Sequence, residues 1–147
     1  MKRLLYLISV VVFAAGLASC NKDDDPTPPP VVVGRWDLNH VRTSGFTSAN
    51  LNNLTLDLYY LQFYSSRLDV YSDNTFVRND RQEFAVGDFS GTWTYTNDKL
   101  TLKYDDGSAD EVYTYTKNKN IEELSSELVN FSLDSTNAGK AQLIYRK

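Results

Sequence analysis

The chain has 147 residues, 41% of them hydrophobic, a formal net charge of −4, one cysteine and one histidine. A lone cysteine excludes an internal disulfide, and with it spoken for, a lone histidine leaves no donor set for a zinc or copper centre. The charges alternate in sign without forming a basic face, which argues against nucleic acid and anionic lipid as partners.

The amino terminus reads as a targeting segment. Lys2 and Arg3 precede an apolar run, Leu4 to Ala18, broken only by Tyr6, Ser9 and Gly16. The run falls short of the about 20 residues that a membrane span needs and suits the hydrophobic region of a signal peptide. Leu17-Ala18-Ser19-Cys20 then resembles the lipobox of bacterial lipoproteins. That resemblance implies removal of residues 1–19, acylation of Cys20 by chains such as palmitate, and attachment to a membrane through this lipid anchor. Lys22-Asp23-Asp24-Asp25 resembles the Bacteroidetes-type export signal, which implies an outer-membrane position facing the cell exterior. The prolines of the whole chain, Pro26, Pro28, Pro29 and Pro30, predict an extended spacer, so residues 20–33 read as a tether.

Residues 34–147 form one expected domain, with 12 Lys plus Arg against 16 Asp plus Glu. Val33 to Thr43 alternates as a strand, with Trp36, Leu38 and His40 on one face. Residues 46–66 are ambiguous. Leu51, Leu54, Leu58 and Leu61 fit helical spacing behind a Ser48 cap, while Leu54, Leu56, Leu58 and Tyr60 fit a strand, so a short helix leading into a strand is expected. Arg67–Tyr71 and Thr75–Arg78 flank a turn at Ser72-Asp73-Asn74, and Arg81–Val86 reads as a separate short strand ended by Gly87-Asp88. Phe89 to Thr96 alternates strictly, with Phe89, Gly91, Trp93 and Tyr95 on one face. Asn97-Asp98 turns the chain into Leu100–Tyr104, and Asp105–Ser108 turns it again into Glu111–Thr116. Ile121–Ser125, Leu128–Leu133 and Ala141–Arg146 complete the pattern. Short strands at this spacing predict a mostly β domain, an antiparallel meander of about eight strands that removes its edges by closing into a barrel.

Gly34-Arg35-Trp36 on the first strand of such a meander resembles the lipocalins and the wider calycin group. Phe89-Ser90-Gly91-Thr92-Trp93, followed by a turn and Leu100-Thr101-Leu102, is similar to the small lipocalin-like domains of surface lipoproteins. The resemblance implies a barrel whose floor is closed by Trp36, with a basic residue of the last strand, Arg146 or its neighbour Lys147, packed over the ring. The chain is shorter than typical lipocalins and has no Thr-Asp-Tyr motif.

Catalysis needs a nucleophile or base with an orienting partner. His40 has none nearby in sequence and reads as a core or pocket histidine, so the chain is read as a non-enzyme with no cofactor. Asp105, Asp106, Asp110 and Glu111 cluster around Gly107, and read as a solvated hairpin tip ahead of a weak calcium site. Asp134-Ser135-Thr136 resembles a short bacterial glycan-acceptor motif. Inward Phe76, Phe89, Trp93, Tyr95 and Tyr104, with His40, are the candidate lining of a cavity for a small apolar or amphipathic ligand. An eight-stranded barrel is equally able to be filled by its own side chains. The alternative is then a packed barrel acting as a non-enzymatic protein- or glycan-interaction module, with an exposed aromatic patch around Phe46 or Tyr59-Tyr60-Phe63-Tyr64.

Overall fold

The computed structural model describes residues 28–147; Cys20, the signal peptide and the acidic tract expected ahead of the domain lie outside the described residues. The strands are β1 (Gly34–Ser44), β2 (Thr55–Leu56), β3 (Tyr64–Val70), β4 (Thr75–Gln82), β5 (Ala85–Thr96), β6 (Lys99–Tyr104), β7 (Glu111–Asn118), β8 (Ile121–Ser132) and β9 (Ala138–Arg146). Every pairing is antiparallel, and β9 returns to β1 from Asp37↔Arg146 to Ser44↔Lys140. Eight strands therefore close into a barrel within residues 34–146. The two-residue β2 lies outside this ring and pairs with the upper half of β1.

Alternation along the strands sets what is inside. On β5, Phe89, Gly91, Trp93 and Tyr95 point inward, and Ser90, Thr92, Thr94 and Thr96 are exposed, as the period of two predicts. The lower half of the barrel is solid: Trp36, Leu68, Leu100, Leu102 and Leu124 are fully buried in one cluster with Phe76, Trp93 and Tyr104. Gly91 lies between strands so close that a Cβ there would stand 2.0 Å from the Lys103 carbonyl oxygen. Trp36 closes the floor. Its Nε1 donates to the Val32 carbonyl at 2.8 Å, and its ring meets Tyr115 edge to face.

Tight turns join the lower ends of the strands. Asn97 and Asp98 both adopt positive φ (53° and 59°), which suits the two-residue hairpin turn whose twist matches the flanking strands. At the upper end, apart from the two-residue turn between β4 and β5, the connections are longer. Between β1 and β3 the chain makes a 3-10 turn (Ala49–Leu51), then β2, then a single short helix, α1 (Leu58–Gln62).

Several boundaries differ from the sequence expectation. The helix is capped by Asp57, whose carboxylate accepts from the Tyr59 amide, whereas Ser48 precedes the 3-10 turn and makes no side-chain cap bond. No separate strand covers Arg81–Val86: its two ends belong to β4 and β5, which turn at Glu83-Phe84. Gly87 and Asp88 are accordingly strand residues. The two strands expected over Ile121–Leu133 are one, β8, with a register shift between Ser125 and Leu128.

Candidate functional site: the barrel mouth

The cavity arises from a mismatch in strand height. β7 begins at Glu111 and pairs with β8 only from Tyr113↔Ser126 downward, while β8 continues upward to Ser132 against β9 alone. The bulge at Ser126-Glu127 bends β8 away at this level, and the Ser126 hydroxyl accepts from the Leu143 amide to hold it there. The result is a notch in the upper wall opening into a cavity of about 330 Å³ between β7, β8, β9 and the inner faces of β3 and β4. A second space of about 260 Å³ adjoins it across Tyr64, Val129 and Leu143, under Leu58 of α1. The first volume reaches the lower bound of about 300 Å³ typical of small-molecule sites.

The cavity's base is polar and charged. Arg78 projects inward from β4 with its side chain only 13% exposed. Its Nη1 donates to both oxygens of Glu111, at 2.9 and 2.8 Å, and to the Tyr104 hydroxyl at 2.5 Å. Its Nε lies 3.3 Å from Asp80 but is buried without a hydrogen-bond partner. The Tyr113 hydroxyl donates to Glu111 at 2.6 Å, and a second chain runs from Tyr145 to Ser66 to Asp80. The guanidinium also stands over the Phe89 and Tyr104 rings, with centroids at 4.8 and 5.2 Å. Above this belt the wall is apolar, formed by Leu128, Val129, Leu143 and the Tyr64 ring.

Burial shapes the proton affinities here. It works against the charge on Arg78, but the adjacent Glu111 and Asp80 carboxylates outweigh it and hold the guanidinium charged. Burial pushes the Tyr145 phenol up to about 12 and those of Tyr64, Tyr104 and Tyr113 well above the ordinary value. The tyrosines are therefore neutral hydroxyls at physiological pH.

The six candidate lining residues are placed differently from the expectation. Phe76, Trp93 and Tyr104 are buried in the lower core with Phe89 and Tyr95 packed against them, and none of the five borders either mouth cavity. Their own mutual packing fills the space; Phe76 and Phe89 both meet Tyr104 edge to face. Tyr104 reaches the site through its hydroxyl on Arg78, and Phe89 through its ring against the same guanidinium. His40 is not beside Trp36 and Leu38. Leu38 pairs with Tyr145 and His40 with the next residue, Ile144, so Asn39 is bulged and the histidine turns to the opposite face. There it is 8% exposed and bonded through Nδ1 to the Asn39 side chain.

The cation over Trp36 is Lys147, with Nζ 4.9 Å from the ring centroid and donating to the Val31 carbonyl. Arg146 points outward and is held by Glu123 through Nε and Nη2. Strand alternation is the reason: Tyr145 faces in, so Arg146 faces out, and Lys147 folds back over the Trp36 ring. The acidic cluster also divides. Glu111 turns into the barrel, Asp105 accepts from Ser90, and Asp106 accepts from the Ser108 amide around Gly107. Asp134 organises the β8–β9 turn, and the Asn137 amide and Thr136 hold its carboxyl well below the usual range.

Arg78 and Tyr113 escaped the sequence reading, and Glu111, read there as part of a solvated hairpin tip, instead bonds Arg78 and Tyr113 inside the barrel. The available signal was parity: with Phe76 inward, Arg78 and Asp80 must be inward too, and Glu111 shares a face with Tyr113.

A separate feature occupies the rim. Tyr59, Tyr60 and Phe63 of the α1 segment and Phe84 at the β4–β5 turn are exposed, Tyr60 by 82% and Phe84 fully. Phe46, expected in such a patch, is instead buried on Gly139, where a Cβ would stand 2.4 Å from its ring. Tyr64 is half-buried in the cavity wall.

A closed eight-stranded antiparallel barrel with one short helix and an open mouth is a lipocalin-like fold. Residues 32–125, more than half of the chain, match the lipocalin-like domain family, and the chain belongs to it. Members of this family are typically binding proteins rather than enzymes. No curated protein and no solved structure matches the chain significantly.

Proposed function

We propose that this lipocalin-like barrel is a non-catalytic binding protein that takes one small amphipathic molecule into its mouth. The observation that carries the reading is the cavity of about 330 Å³ with an apolar upper wall over a hydrogen-bonding base. An apolar body gains from the wall, and a polar group finds Glu111 and the tyrosine hydroxyls below it. Native mass spectrometry of residues 28–147, produced in the source cells without the anchor and purified without detergent, tests this. Extra mass that leaves on denaturation supports it, and a bare mass for protein that also takes up no added amphiphile contradicts it.

The reading includes a membrane address. A lipid on Cys20 holds the domain at the outer membrane, facing the exterior, through a tether that ends short of the expected residue 33, where Val32 enters the core. Two or more acyl chains are enough for a stable anchor, because each buried methylene contributes about 0.8 kcal/mol. Support comes from where the chain enters the barrel: Pro28–Pro30 are exposed and Val32 sits at the floor, so the mouth opens at the end away from the tether. Cys20→Ala is expected to move the protein from the membrane fraction to the soluble fraction; persistent sedimentation with membranes would refute the anchor.

The second reading, a protein- or glycan-interaction module, is favoured by the exposed Tyr59, Tyr60, Phe63 and Phe84. It predicts that substitutions in this patch, and none in the cavity, abolish the biological interaction.

A further inference from the structure

We propose that the amphipathic ligand of the mouth carries a positive charge, a protonated amine or quaternary ammonium joined to an apolar body. The inference rests on the binding reading above and adds the sign of the head group.

A buried arginine would ordinarily suggest an anion. Here its charge is already spoken for. Arg78 faces two carboxylates, Glu111 at 2.8 Å and Asp80 at 3.3 Å, so the belt carries one positive and two negative charges. A ligand anion would compete with Glu111 and Asp80 for the guanidinium and would stand close to both carboxylates in a partly dry site. Access points the same way. Arg78 is 13% exposed and Glu111 39%, so whatever enters the cavity meets the carboxylate before the guanidinium. The rest of the lining adds Asp110 and Glu127 and contains no lysine. These four acids against the one arginine direct the local field toward cations, and the low-dielectric walls focus it.

The remaining groups suit an ammonium. Glu111 has accepting capacity beyond its bonds to Arg78 and Tyr113, because each carboxylate oxygen accepts more than one hydrogen bond. Tyr64, Tyr113 and Tyr145 present rings to the cavity, and aromatic faces attract cations electrostatically. Leu128, Val129 and Leu143 supply the apolar surface for the attached body.

The test compares decylammonium, decanoate and decanol, below their micelle concentrations, by titration calorimetry on residues 28–147, which contain the whole closed barrel. Decylammonium is expected to bind about tenfold or more tighter than decanoate, with decanol between them and the advantage shrinking in high salt. Glu111→Gln should remove most of that preference. Should that variant unfold, Glu127→Gln, an exposed rim position outside the Arg78 belt, should still reduce it several-fold. Decanoate binding as tightly as decylammonium would overturn the charge assignment and leave the binding reading standing. Failure of all three to bind would overturn both.

Discussion

Trp36 illustrates how much a single side chain does in a barrel this small. It fills the floor, donates to Val32, meets Tyr115 edge to face and carries Lys147 over its ring. Truncating a fully buried aromatic removes its transfer free energy and leaves a cavity that close-packed strands cannot collapse. Trp36→Ala should therefore cost about 3–5 kcal/mol in urea unfolding. A loss under about 1 kcal/mol would show that the ring does not hold the floor. Gly-x-Trp and the alternation of β5 made these residues legible in advance, because period two alone assigns their face. Arg78 and Glu111 were not legible in the same way. They lie 33 positions apart, and a charged residue in a strand ordinarily reads as a solvent-facing one. Only closure of the barrel brings them together and makes the pair inward.

At the scale of elements, two bulges decide what the site contains. The shift between Ser125 and Leu128 opens the wall above Tyr113, and the one at Asn39 turns His40 out of the barrel. A bulge adds one residue and reverses the face of everything beyond it; no pattern announced the one at Asn39, whereas the gap expected between Ile121–Ser125 and Leu128–Leu133 falls at the other. Asn39 and Glu127 are polar, as their neighbours on exposed faces are. The outward His40 gives the β1 bulge a measurable signature. Burial lowers its proton affinity, and the nearby cations Arg146 and Arg42 add to this, while Glu123 opposes it. The unfolded chain then binds the proton more readily than the native one. Stability from neutral His40 is fully present above the unfolded value of about 6.5 and is lost as pH falls through the lower folded value. Urea stability should decline as pH falls below about 6.5. His40→Gln should flatten that decline; an unchanged slope in the variant would contradict the assignment.

For the whole molecule, the two ends of the barrel do different things. The lower half is dry, aromatic and closed by Trp36 and Lys147, and it supplies the cooperative core. The upper half gives up pairing between β7 and β8 and places a charged belt beneath an apolar wall. Whether the barrel would be filled or hollow was open from composition, and the structure answers by dividing the two outcomes between its ends. The aromatic residues expected to line a pocket went to the filled end, because five large side chains on adjacent strands satisfy one another there. Chain entry at the floor leaves the mouth and the α1 rim as the surfaces farthest from the tether.

The most direct test of the ligand site is a 1H–15N NMR titration of residues 28–147 with decylammonium. The account predicts shift changes that saturate and centre on Arg78, Tyr113, Ser126, Val129 and Leu143 around the notch. Changes confined to Tyr59, Phe63 and Phe84 on the rim, with the notch silent, would contradict it.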